Sequence, residues 1–98
     1  MGTARSSYEL TTSTQVRAVS GALTACQVIT DGSNQATVIG YDAAAATDAA
    51  PGNKIFELVV AGSNRYGGFT KPHPVRFGNG LYITVSGDGA SYIVEWIK

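Results

Sequence analysis

PVRFGNGLYITVSGDGASYIVEWIK, residues 74–98, decides the fold of this chain. Two runs in it alternate strictly. Leu81, Ile83 and Val85 alternate with Tyr82, Thr84 and Ser86; Tyr92, Val94 and Trp96 alternate with Ser91, Ile93 and Glu95. Period-two alternation is the pattern of strands with one buried face. Between the runs stands Asp88-Gly89, a pair suited to the central positions of a type I′ turn. The expected hairpin places Val85 opposite Tyr92, Ile83 opposite Val94 and Leu81 opposite Trp96. Its other face pairs Tyr82 with Glu95, Thr84 with Ile93 and Ser86 with Ser91. A slip of one residue would mix the two sets, so the register is strongly specified. The six residues Leu81, Ile83, Val85, Tyr92, Val94 and Trp96 are the expected centre of the core. Gly78-Asn79-Gly80 makes a corner before them, and residues 74–77 lead in.

Upstream, ALTACQVIT (22–30) and QATVIGYD (35–42) flank Asp31-Gly32-Ser33-Asn34, a second hairpin signal. A three-residue loop puts Cys26 and Val28 with Val38 and Ala36 on one face; a four-residue loop pairs Cys26 with Ile39. AAAATDAAPGN (43–53) favours helix by propensity but is too short to stand alone. It reads as a sandwich-edge loop with at most one helical turn. In KIFELVVA (54–61), Phe56, Leu58 and Val60 share one strand face, and Ile55, Glu57 and Val59 share the other.

GSNRYGGFTKPHP (62–74) is the least regular stretch and reads as a surface loop with a short strand at 68–70. Pro72 and Pro74 lack an N–H, which confines them to a sheet edge or a strand start. YELTTSTQVRAVS (8–20) gives one strand around 14–19 and a second around 7–11. Residues 1–7 are small and polar, with Arg5 the only charge, and read as a flexible arm before one domain at 8–98. Seven or eight strands with short turns define an all-β, antiparallel β-sandwich, jelly-roll-like, with no long helix.

Charged residues are only 14%, seven basic and seven acidic, for a formal net charge of zero. Such a balance gives no electrostatic pull toward nucleic acid or an anionic membrane, so neither is expected as a partner. No apolar run approaches a membrane span. Met1 without a basic-then-apolar leader implies synthesis in a cytoplasm. So few charges also suggest that other subunits cover part of the surface.

Chemistry has few handles here. The only histidine, His73, lies between two prolines, and the only cysteine, Cys26, lies mid-strand. A nucleophile needs a base held beside it; a cysteine inside an apolar strand is more often a small buried hydrophobe. Zinc needs a cluster of Cys and His. Asp31-Gly32-Ser33-Asn34 is a fragment of a calcium loop without its later acids, and turn chemistry accounts for it. Glu57 and Glu95 are the one pair of strand carboxylates to weigh as a glycosidase acid and base; solvated strand positions explain both. No catalytic residue, cofactor or metal site is therefore expected, and the chain does not read as an enzyme. Arg5, Tyr8, Arg65, Tyr66, Phe69 and Tyr82 are the candidate interface residues. Among them Tyr66, Phe69 and Tyr82 offer rings for stacking.

Several stretches together resemble a known group. They are ITDGSNQATVIGYD (29–42), the alanine-rich turn after Tyr41-Asp42, GNKIFELVVAG (52–62) and the closing PVRFGNGLYITVSGDGASYIVEWIK. They are similar to small β-sandwich proteins encoded among the structural genes of tailed bacteriophages. Phe77-Gly78-Asn79-Gly80-Leu81-Tyr82 through Gly87 matches the group's F-x-N-G-L-Y-hydrophobic-x-V-S-G ending. The likeness covers residues 16–98 and is one of strand and turn types. It implies a virion protein, above all a capsid cement or decoration protein that stabilises the head shell across capsomer junctions. The implied partners are the major capsid protein or other virion proteins, with a dimer or trimer of the chain itself. The implied location is the virion, assembled in the host cytoplasm. No catalytic residue is carried over. The alternative is a carbohydrate- or receptor-binding module of a phage fibre, spike or other small tail component. It requires a surface aromatic pair with polar neighbours around 66–73.

Overall fold

The computed structural model describes residues 5–97, the side chains of 71–73 excepted. The strands are β1 (Arg5–Ser6), β2 (Thr14–Arg17), β3 (Gly21–Ile29), β4 (Ala36–Asp42), β5 (Lys54–Val60), β6 (Tyr66–Phe77), β7 (Leu81–Ser86) and β8 (Ser91–Ile97). Two antiparallel sheets pack face to face. The first has the order β1-β8-β3-β6 and the second β2-β7-β4-β5. This interleaving is that of an eight-stranded jelly roll. Every connection except the one between β4 and β5 crosses from one sheet to the other.

The crossing overturns both expected hairpins. β7 pairs with β4 and β2, so Ile83 lies opposite Gly40 and Thr14, not Val94. β8 pairs with β3, so Val94 lies opposite Cys26. The turn geometry gives the reason. A type I′ turn requires positive φ at both central residues. Of the two central residues Gly89 (φ 73°) has it and Asp88 does not. The Ala90 N–H donates to the Gly87 carbonyl at 3.2 Å, and positive φ at the third residue alone is the type II pattern. The chain therefore turns out of one sheet into the other. β3 and β4 are likewise in different sheets, joined through the Asp31 turn.

The apolar faces themselves are as the alternation requires. Leu81, Ile83, Tyr92 and Val94 are fully buried, and Val85 and Trp96 pack partly buried against them. Cys26, Val28, Ala36 and Val38 join the same core, with Leu23 and Phe77. Phe56, Leu58 and Val60 of β5 also face it. The inner faces of the two sheets thus meet across the sandwich. A ring pair seals the β5–β6 flank. Phe56 and Phe69 meet edge to face with centroids 5.0 Å apart, a preferred aromatic geometry.

Side chains tie the corners together. At one end Thr30 donates its hydroxyl to the Asn64 carbonyl at 3.0 Å and accepts from the Gly32 N–H. A Cβ on Gly89 would strike the Asp31 side chain, so the two cross-sheet turns lie against each other. At the other end Asp42 accepts from the N–H groups of Asn79 (2.8 Å) and Gly78 (3.2 Å). Asn53 draws the 43–53 segment in by donating to the carbonyls of Asp42 and Asp48. That segment holds two short 3₁₀ turns, Ala46–Asp48 and Pro51–Asn53.

Two further expectations change. The stretch read as a surface loop, 62–74, is mostly the long strand β6. Its prolines are tolerated because β6 is an edge strand with one ladder to fill. Between Leu23 and Ala25 of β3 the partner moves from Val75 to Thr70, so the extra residues of β6 bulge there. The arm also shortens. Arg5 and Ser6 pair with Trp96 and Glu95, and the Ser7 N–H donates to the Val94 carbonyl. The exposed edge of β8 supplies the partners that a free arm lacks. Residues 1–4 lie outside the described residues.

Candidate functional site

The outer face of the first sheet forms a hollow of about 750 Å³. It is built from three strands in register. Across β8, β3 and β6, one row reads Glu95, Ala25, Thr70 and the next reads Ile93, Gln27, Gly68. Tyr66 of β6 stands beyond, opposite Ile29. These residues point outward because their neighbours Cys26, Val28, Tyr92 and Val94 point into the core. The small residues Ala25 and Gly68 leave the middle low. Gly68 has its own structural reason, since a Cβ there would collide with the Cys26 carbonyl of β3. Tyr66 is 63% exposed at the rim. Gln27, Thr70 and Glu95 hold no side-chain partner among the described residues.

Cys26 backs this face but turns inward. Its thiol is buried, and desolvation pushes it up to about 12. At neutral pH it is a protonated, shielded thiol and a poor nucleophile. The side chain of His73 lies outside the described residues. Asp31 uses its carboxylate to close its own turn, accepting from the N–H groups of Ser33 and Asn34, both at 2.8 Å, and from the Asn34 side chain. Those donors hold its carboxyl below the usual carboxylate range. Glu57 lies on the outer face of the second sheet, 2.8 Å from the Lys54 ammonium. Glu95 lies on the outer face of the first, so these two acids cannot flank one bond. Among the described residues no three His, Cys, Asp or Glu side chains are grouped to hold a metal ion.

The six candidate interface residues do not form one patch. Arg5 belongs to β1, on the β8 side of the first sheet, and Tyr8, 80% exposed with φ 59°, follows just beyond it. Arg65 and Tyr66 are exposed on the opposite side, at the start of β6. Tyr82 is half-buried on the other sheet, between Gln15 of β2 and Tyr41 of β4. Phe69 packs inward against Phe56. The surface aromatic pair expected at 66–73 is thus split, because Tyr66 and Phe69 are an odd number of positions apart on one strand and face opposite ways. Nothing local in the sequence joins Gln27 to Glu95, since their proximity depends on the pairing of β3 with β8. A polar Gln27 on the outward phase of a largely apolar strand is the local signal of that face.

Compared with known proteins, the chain matches no family model, no curated protein and no solved structure. No helix among the described residues is long and apolar enough to cross a membrane.

Proposed function

We propose that the chain is a structural virion protein of a tailed phage, a capsid cement or decoration protein that acts by binding across capsomer junctions. The observation that carries this is the β5–β6 flank. β5 and β6 are edge strands of different sheets and lie side by side there, each with one unpaired ladder edge. Val59 of β5 is 52% exposed beside that edge. Long open edges are liabilities unless something pairs with them or covers them. A neighbouring subunit that adds a strand there would satisfy the backbone groups and bury Val59.

Size and charge support the same reading. A stable interface buries about 800 Å² per partner, a sizeable share of the 5310 Å² this chain exposes. Sparse charge lowers the desolvation cost of covering that much surface. The resemblance of residues 77–87 to the ending of phage structural β-sandwiches supplies the identity of the partner. The test is co-sedimentation with empty heads assembled from the major capsid protein of the same genome. Saturable binding is expected, with Val59→Lys binding at least tenfold more weakly and folding normally. Val59→Lys binding as tightly as the parent chain would remove the flank from the interface.

A further inference from the structure

The outer face of the first sheet meets the β5–β6 flank at β6 but points away from its ladder edge, and it has a composition of its own. From it we infer that the chain carries a saccharide-binding site, centred on Gln27 and bounded by Tyr66, Thr70 and Glu95. This goes beyond shell binding, does not depend on it, and rests on the single exposed ring of Tyr66 in place of the aromatic pair expected at 66–73, whose Phe69 faces inward.

The geometry fits one sugar ring. Neighbouring strands are about 4.8 Å apart, so Glu95 and Thr70 stand about 10 Å apart with only Ala25 between them. Gln27 lies one row further along, about 7 Å away, flanked by Ile93 and the bare backbone of Gly68. A hollow of about 750 Å³ lies within the range of small-ligand sites.

The chemistry fits as well. A pyranose presents hydroxyls at its rim and C–H groups on its faces. The Glu95 carboxylate has two oxygens that accept from neighbouring hydroxyls. The Gln27 amide both donates and accepts, and the Thr70 hydroxyl does the same. None of the three is committed elsewhere among the described residues. The Tyr66 ring supplies an apolar surface for the C–H face. Other occupants suit the face less well. An apolar peptide would strand the amide and the carboxylate, and a phosphate backbone would meet Glu95 with like charge.

The test is an NMR titration of the intact chain with methyl glycosides of glucose, galactose, mannose and N-acetylglucosamine and the corresponding disaccharides. Concentrations should reach about 10 mM, where weak single-ring sites saturate. The expected result is a saturable shift of the Gly67 and Gly68 amides and the Gln27 side-chain amide with at least one sugar. Gln27→Ala, Glu95→Gln and Tyr66→Ala should each weaken that binding tenfold or more at unchanged melting temperature. Tyr82→Ala, on the other sheet, should not weaken it. No shift with any of these sugars overturns the inference, as does binding that the three variants leave intact. Shell binding is read separately by co-sedimentation, so sugar binding can fail while the cement reading stands, and the reverse.

Discussion

Cys26 shows how a single side chain reports the packing around it. Burial raises its thiol from 9.0 to about 12, and burial also raises the Tyr92 hydroxyl above its ordinary value. Both groups ionise first in the unfolded chain. The Cys26 contribution is therefore complete below pH 9.0 and is lost as pH rises through about 12, and the Tyr92 contribution falls in the same direction above pH 10.0. The urea midpoint is expected to fall across that window, and Cys26→Ala should flatten part of the fall. An equally steep fall in Cys26→Ala would show that the thiol is not desolvated in the native state.

Asp42 makes the corresponding case for a polar residue. Its two oxygens hold the N–H groups of Gly78 and Asn79 across a corner of the sandwich. Asp42→Ala should lower stability by about 1–2 kcal/mol in urea unfolding, the scale of a lost charged cap. Asp42→Asn, which keeps an acceptor, should lose less.

At the scale of elements, β7 and β8 form an arch between sheets. Ile83 is fully buried from the β7 side and Val94 from the β8 side. Ile83→Ala should cost about 2–5 kcal/mol. Main-chain Hα contacts should join β8 to β3 and not β8 to β7; strong Hα contacts between Ile83 and Val94 would restore the hairpin. The inner faces were legible in the sequence because alternation fixes which residues share a face. Which strands pair was not, since a hairpin and an arch bury the same alternate residues and differ only at the turn. Asp88-Gly89 allows either; what separates them is the φ of Asp88, which depends on the packing of the 87–90 turn against the Asp31 turn. β6 was hidden for a related reason. Glycines and prolines look like a loop, yet an edge strand needs only one set of ladder bonds and accommodates them. The hollow was less legible still, because Gln27, Thr70 and Glu95 come from three strands brought together by non-local pairing.

The whole molecule is a jelly roll with its polar and aromatic residues divided among separate surfaces. One outer face carries the hollow around Gln27, the other carries Tyr82 and Tyr41, and one flank exposes the edges of β5 and β6. The proposed shell binding would need association alone, with the core fixing the relative positions of these surfaces. The flank is the surface to disturb, because Val59→Lys changes it without touching the core. The most direct measurement of the proposed role is the co-sedimentation of the purified chain with empty heads assembled from the proposed partner, the major capsid protein of the same genome, followed by thermal unfolding of the loaded shells. Binding that saturates at a fixed ratio to capsomers, with a raised shell melting temperature, is the predicted result. A chain that stays monomeric in the supernatant and leaves shell melting unchanged would contradict the cement reading.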